Sequence, residues 1–214
     1  MPSGARALPP PDEQLDAELA AHELSATDFL PVDTESALDV EARIREVPPE
    51  RVTKGIFFEQ LARDARDAGV VCEPRYVMFR DYPLRDFMRL QADYAPIRYP
   101  GVPAREAQRR MGSEAFLALK HSIPGRMLFT LARADLAAAL RLTPEAYKHN
   151  LSHSQVNVWL EGTRQVVLEF RDVPNFPDCY HVGVIEGVCR AFDAEPRIRT
   201  RVHSARDVDM LVRW

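Results

Sequence analysis

Residues 155–171 read QVNVWLEGTRQVVLEFR, and residues 197–214 read RIRTRVHSARDVDMLVRW. Each stretch holds two runs in which apolar and polar side chains alternate, and a short polar reversal separates the two runs. Alternation is typical of half-buried strands, and two alternating runs joined by a tight polar turn predict a β-hairpin. The sequence therefore predicts two antiparallel hairpins in this region.

The residues between the two hairpins have helical spacing. We predict a helix from Tyr180 to Phe192, with Val184, Ile185 and Val188 on one face. The C-terminal third is then β-β-α-β-β. Because hairpins dominate and no strand-helix-strand spacing recurs, the predicted fold class is α+β, with helices packed on a twisted antiparallel sheet.

The pattern nearer the N-terminus predicts one strand and two helices. Apolar residues alternate with charged ones over Leu38–Val47, which predicts a half-buried strand. A helix is expected over Val52–Ala68, ended by Gly69, and another from Pro83 toward Tyr94.

The residue pattern from 104 to 151 is typical of helices. Gly112 and Pro124-Gly125 are expected to interrupt it, and Thr143 is expected to cap the last helix with Pro144 in its first turn. The predicted helices cover about 104–111, 113–121, 125–140 and 144–151.

Charge is distributed unevenly along the 214 residues. Residues 1–35 contain eight acidic side chains and the single base Arg6, whereas the whole chain has a net charge of −4. We expect an acidic, Pro/Ala-rich flexible leader over 1–36 and a single domain over 37–214. A net negative charge gives little attraction for nucleic acid, which is not an expected partner.

Cysteine usage and hydropathy bear on the compartment. Cys72, Cys179 and Cys189 form no CxxC pair, and an odd count fits a reducing compartment. No signal peptide and no run long enough to span a membrane are found. The expected localisation is cytoplasmic.

Several short motifs occur in order and carry a family likeness. They are Lys54-Gly55-Ile56-Phe57-Phe58-Glu59, Arg109-Arg110-Met111-Gly112, Gly125-Arg126, and Tyr180-His181-Val182-Gly183 followed by a closing strand that ends in Trp214. Over residues 38–214 the chain resembles a domain of unknown function that is expanded as paralogues in myxobacteria.

That family is distantly similar to a superfamily of vinyl-reductase-like ligand domains, haem nitric-oxide-binding domains and subunits of the TRAPP tethering complex. The resemblance implies an α+β fold, often dimeric, and no reaction, because members bind small molecules, haem, acyl chains or other proteins. This chain lacks the Tyr-x-Ser-x-Arg run that holds the haem propionates. We therefore expect no cofactor.

The candidates for ligand binding are Arg126 beside a predicted helix start, Trp159, Tyr180 and His181. Gly183 and Gly187 stand four apart in a predicted helix. Glycine inside a helix costs about 1 kcal/mol relative to alanine. Close approach of another helix, within the chain or across a dimer, is the favoured explanation, and a ligand is the alternative.

Two further residue pairs have spacings that bear on metal binding and catalysis. His149 and His153 are spaced for one metal ion on a continuous helix, but no third ligand is identifiable, so a polar surface pair is preferred. Cys179 and His181 could form a nucleophilic site at a helix start, although side chains two apart point in different directions there. We predict neither a metal nor a catalytic residue.

These observations favour a non-enzymatic sensory or adaptor domain that binds a small hydrophobic ligand or a protein partner. A second copy of the chain, in a homodimer, is one candidate partner. The alternatives are a cysteine-dependent enzyme using Cys179 and His181, and a haem-based gas sensor.

Overall fold

The computed structural model describes residues 17, 19–21, 24–73, 75–120, 130, 135–162 and 164–214. The helices in these residues are α1 (Val40–Glu46), α2 (Gly55–Asp67), α3 (Leu84–Arg98), α4 (Ala104–Lys120), α5 (Leu136–Arg141), α6 (Thr143–Asn150) and α7 (Tyr180–Ala191). The strands are β1 (Leu30–Pro31), β2 (Val52–Lys54), β3 (Asp81–Pro83), β4 (Gln155–Gly162), β5 (Gln165–Arg171), β6 (Arg197–Val202) and β7 (Val208–Arg213).

Five strands form one antiparallel sheet in the order β1-β6-β7-β5-β4. Strands β4 and β5 form the first predicted hairpin, and β6 and β7 form the second. The hairpins join where Leu168 on β5 pairs with Met210 on β7. The α+β prediction and the β-β-α-β-β order are therefore confirmed, and the short β2-β3 pair forms a separate ribbon.

One face of the sheet packs against the helices. Val166, Leu168 and Phe170 on β5 alternate with residues of the opposite face, and with Met210 they belong to the main hydrophobic core. On this side Phe170 of β5 lies against the ring of His181 of α7, and α7 in turn contacts α4.

The opposite face of the sheet carries a second apolar cluster. Leu19 and Phe29 are fully buried there against Val167 and Leu211. Both residues fall within 1–36, where the sequence predicts a flexible leader. The described part of that segment instead packs on the sheet and adds β1 to its edge. It does so because Leu19 and Phe29 contact the apolar side chains of Val167 and Leu211. Periodicity within the segment does not reveal this contact.

The predicted strand over Leu38–Val47 is wrong, because residues 40–46 form α1. The side chain of Asp39 accepts a hydrogen bond from the backbone N–H of Ala42 and thereby caps the helix. Only Ile44 within α1 is buried, so the alternating pattern reflects a short surface helix rather than a half-buried strand.

Helix α4 runs without interruption through Gly112, where the sequence predicts a break. The reason is close packing: a Cβ atom on Gly112 would collide with the backbone carbonyl of Tyr180 at the start of α7. The glycine permits contact between two helices and does not end one.

Other predicted boundaries are partly right. The strand β2 precedes α2, which begins at Gly55 rather than near Val52, and α3 continues to Arg98. Thr143 lies within α6 and gives it no side-chain cap. The predicted helix over 125–140 falls mostly outside the described residues, and α5 is capped by Asp135.

Gly183 and Gly187 place α7 directly on α4. A Cβ atom on Gly187 would lie 2.6 Å from the carbonyl oxygen of Ser113. Beside these glycines, Arg109 Nη2 of α4 lies 2.5 Å from Oε1 of the buried Glu186. The helix contact that the sequence favours for both glycines is thus present within the chain. No helix in the described part of the chain is both long and apolar enough to cross a membrane.

Candidate functional site

A cavity of about 120 Å³ lies between the helices. Helices α2 to α7 all contribute to its wall, together with β2 and the loop that precedes α7. Its described lining is largely apolar and consists of Thr53, Phe57, Leu84, Phe87, Ala115, Phe116, Ala139, Leu142, Thr143, Ala146, Tyr147, Asn150, Leu151, Asn175, Tyr180, His181, Val184, Ile185 and Val188. None of these side chains is a carboxylate, a lysine or an arginine.

A tyrosine and a histidine meet in the wall of this cavity. The Tyr147 hydroxyl lies 2.5 Å from Nδ1 of His181, and both rings pack near Phe170. Burial lowers the pKa of His181 to about 3 and raises the pKa of Tyr147 well above 10. At neutral pH the imidazole is therefore neutral and the phenol is protonated.

The loop between β5 and α7 brings an amide to the same wall. Asn175 is buried, and its neighbour Phe176 adopts a left-handed conformation with φ of 51°. Such a backbone is uncommon for a large side chain and persists only where the surroundings enforce it. The carbonyl oxygen of Phe176 accepts from the backbone N–H of His181 at 3.3 Å, which ties the loop to the helix start.

Two polar atoms of this wall have no hydrogen-bond partner among the described residues. They are Oδ1 of Asn175 and Nε2 of His181, and both are buried. Leaving a buried polar atom unpaired costs roughly 1–3 kcal/mol, so such atoms require an explanation.

The start of α7 is fixed by a buried ion pair. Asp178 is 4% exposed, and its Oδ2 lies 2.5 Å from Nη1 of Arg105. The same guanidinium approaches Asp33 at 3.6 Å, and its pKa is raised by Asp178 despite desolvation. This arrangement holds the helix that carries Tyr180 and His181.

The contacts of Cys179 do not resemble an activated nucleophile. The thiol is fully buried, and its Sγ approaches Oδ1 of Asp178 at 3.9 Å, while His181 bonds to Tyr147. Burial, followed by the charge of Asp178, raises the pKa of the Cys179 thiol. The geometry therefore disfavours the Cys179 and His181 alternative.

The structure separates the predicted binding residues. Tyr180 and His181 line the cavity, whereas Trp159 packs on the opposite face of the sheet beside Leu19 and Phe29. Arg126 lies outside the described residues.

Sequence reasoning missed Tyr147 and Asn175. Tyr147 lies in a short helix, and Asn175 lies between two prolines. Neither position belongs to a motif, so no signal in a single sequence distinguishes them.

The predicted histidine pair does not share a helix. His149 is exposed and approaches Glu145 at 2.6 Å, whereas His153 follows the end of α6 with a φ of 60°. Among the described residues, no group of three potential ligands could hold a metal ion.

Solved structures with a similar fold include H-NOX proteins. A point mutant of the K. algicida H-NOX protein in the Fe(II) unliganded state has a TM-score of 0.59 and 14% identity, over 75% of this chain and 95% of that one. An H-NOX protein from S. oneidensis in the Fe(II)NO state has a TM-score of 0.56 and 15% identity, over 74% and 97% of the two chains. The expected likeness to haem nitric-oxide-binding domains is confirmed at the level of the fold.

The described residues of the cavity do not fit haem. The neutral imidazole of His181 is of a type that binds iron, but the described lining residues include no cation to pair with two propionates. Burying carboxylates without partners is strongly unfavourable. The missing propionate motif in the sequence agrees with this lining.

No curated protein sequence matches this chain. A family model described as "Protein of unknown function (DUF2378)" matches residues 47–214, which is most of the chain. The expectation of a domain of unknown function is thereby confirmed, and the chain belongs to the DUF2378 family.

Proposed function

We propose that this protein is a non-enzymatic sensory domain that binds a small, uncharged and largely apolar molecule in the cavity lined by helices α2 to α7. The observation that carries the proposal is the cavity itself, whose described wall is apolar with a few neutral polar groups. Pockets of this composition are the usual sites of small-molecule binding.

The size of the cavity limits the ligand. A protein cavity of about 150 Å³ lined by apolar side chains accepts benzene. The cavity here measures about 120 Å³ and is lined by similar side chains. We therefore infer a ligand with the bulk of about one six-membered ring.

Binding of benzene is the direct test. We expect NMR resonances of Ala139, Val184 and Ile185 to shift in a saturable manner, and the melting temperature to rise with benzene concentration. Ala146→Leu places a larger side chain in the cavity wall and should abolish these shifts. Ala137→Leu, on α5 but outside the lining, is the matched control and should leave them unchanged.

Two results would contradict the proposal. Absence of any saturable shift with benzene would show that the cavity does not accept apolar molecules. A stoichiometric Soret band after addition of hemin would replace the proposal with the haem-sensor alternative.

A second candidate function is that of an adaptor that pairs with another copy of itself. The resemblance to TRAPP-like domains, which implies a fold that is often dimeric, is consistent with such pairing. This candidate is favoured by exposed apolar side chains in the loop before β3, where Val77 is 57% and Phe79 is 71% exposed. Exposed apolar groups that lie together are typical of interaction sites. We expect sedimentation to give a dimer that Phe79→Ser dissociates, and a monomer at all concentrations would exclude this candidate.

We also propose a cytoplasmic localisation, because the three cysteines are free in the structure. Fractionation of the native host, with detection by antibody, would test it.

A further inference from the structure

Asn175 and His181 each carry a buried polar atom without a hydrogen-bond partner among the described residues, Oδ1 and Nε2. Both residues line the cavity, and both are more than nine-tenths buried. The hydrogen bond from His181 N–H to the Phe176 carbonyl ties the loop that carries Asn175 to the first turn of α7, which carries His181.

The hydrogen-bonding role of His181 follows from its partner. A neutral imidazole has one N–H and one acceptor nitrogen. Among the described residues the Tyr147 hydroxyl has no hydrogen-bond partner other than Nδ1 of His181, so we assign the hydroxyl as the donor. The proton of the imidazole is then on Nε2, which becomes an unpaired donor.

Asn175 supplies the complementary group. Its Oδ1 is an unpaired acceptor, and the exchange of amide O and N would present a donor instead. A hydroxyl group can donate one hydrogen bond and accept two, so it satisfies His181 together with either orientation of the amide.

We propose that the ligand is a small neutral alcohol or phenol whose hydroxyl accepts a hydrogen bond from Nε2 of His181 and bonds to the amide of Asn175. This inference rests on the proposed function, because it describes the polar end of the same ligand. It also agrees with the described part of the lining, which has neutral hydrogen-bonding groups and no charged side chain.

The test compares phenol with benzene in three variants. Asn175→Leu and His181→Phe each replace one polar group by an apolar side chain of similar size. We expect each change to raise the phenol Kd about tenfold, which corresponds to one hydrogen bond, and to change the benzene Kd less than threefold. Gln108→Leu is the control, because Gln108 is buried with an unpaired Oε1 but does not line the cavity.

An experiment on the unsubstituted protein guards against a variant that fails to fold. Phenol should shift the ¹⁵N resonance of His181 Nε2 and slow exchange of its proton, whereas benzene should shift the ring resonances without slowing this exchange. If benzene binds but neither variant changes the ratio of the two Kd values, the alcohol inference is wrong and the proposed function stands. If neither molecule binds, both are wrong.

Discussion

The carbonyl oxygen of Arg109 on α4 occupies the space that a Cβ atom on Gly183 of α7 would need. The two helices therefore touch through backbone, and this contact sets the position of α7 and of the cavity residues that it carries. Any side chain at residue 183 must push the helices apart.

We predict that Gly183→Ala lowers the free energy of unfolding by about 3 kcal/mol, because backbone atoms must move to admit the methyl group. Urea denaturation measures the change. Gly69→Ala is a useful comparison: a Cβ atom there meets nothing within 4 Å, but the φ of 86° is left-handed, so a loss of only about 1 kcal/mol is expected. Equal losses in the two variants would argue against the tight contact.

The pH dependence of stability should report the buried histidine. The pKa of His181 falls from 6.5 in the unfolded chain to about 3 in the folded protein. Between these values only the unfolded chain binds the proton, so acidification favours unfolding. Relative to His181→Phe, we expect the native protein to lose about 1.4 kcal/mol per pH unit between pH 6 and pH 4. Parallel stability curves for the two proteins would mean that the imidazole titrates normally.

The N-terminal segment should contribute to stability through one side chain. Phe29 is fully buried on the outer sheet face, whereas its neighbour Leu30 is 63% exposed. We expect Phe29→Ala to cost about 3 kcal/mol and Leu30→Ala to cost less than about 0.5 kcal/mol in urea denaturation. A negligible effect of Phe29→Ala would indicate that this segment does not hold the sheet in solution.

Thiol reactivity should distinguish the three cysteines. Cys179 and Cys189 are buried, and burial raises the pKa of Cys189 to about 12, whereas Cys72 is half-buried. We expect a colourimetric disulfide reagent to label one thiol per native chain and all three after denaturation. Cys72→Ser should remove the native reaction. Rapid labelling of Cys179 in the folded protein would instead support the enzyme alternative.

Local periodicity was sufficient for the C-terminal elements. The alternating runs around Glu161 and Ser204 predict both hairpins, and the spacing of Val184 and Val188 predicts α7, because each pattern must match a face of its element. The same reasoning failed for Leu38–Val47, since ten residues are too few to distinguish alternation from a short capped helix. Gly112 was also misinterpreted, because a glycine that ends a helix and one that admits a neighbour look alike in a sequence.

The candidate site was only half predictable. Tyr180 and His181 are adjacent in a helix start that stands out in the sequence, and both line the cavity. Tyr147 and Asn175 reach the same cavity from a short helix and a buried loop that are distant in sequence.

By itself, the amino-acid sequence determined the order of strands and helices in the C-terminal third, because the periodicity of each element depends only on that element's own residues. Only the tertiary structure decided that Tyr147, Asn175 and His181 share one wall, and that the N-terminal segment covers the sheet. Those outcomes depend on which surfaces meet, and contacts between residues far apart along the chain leave no local pattern.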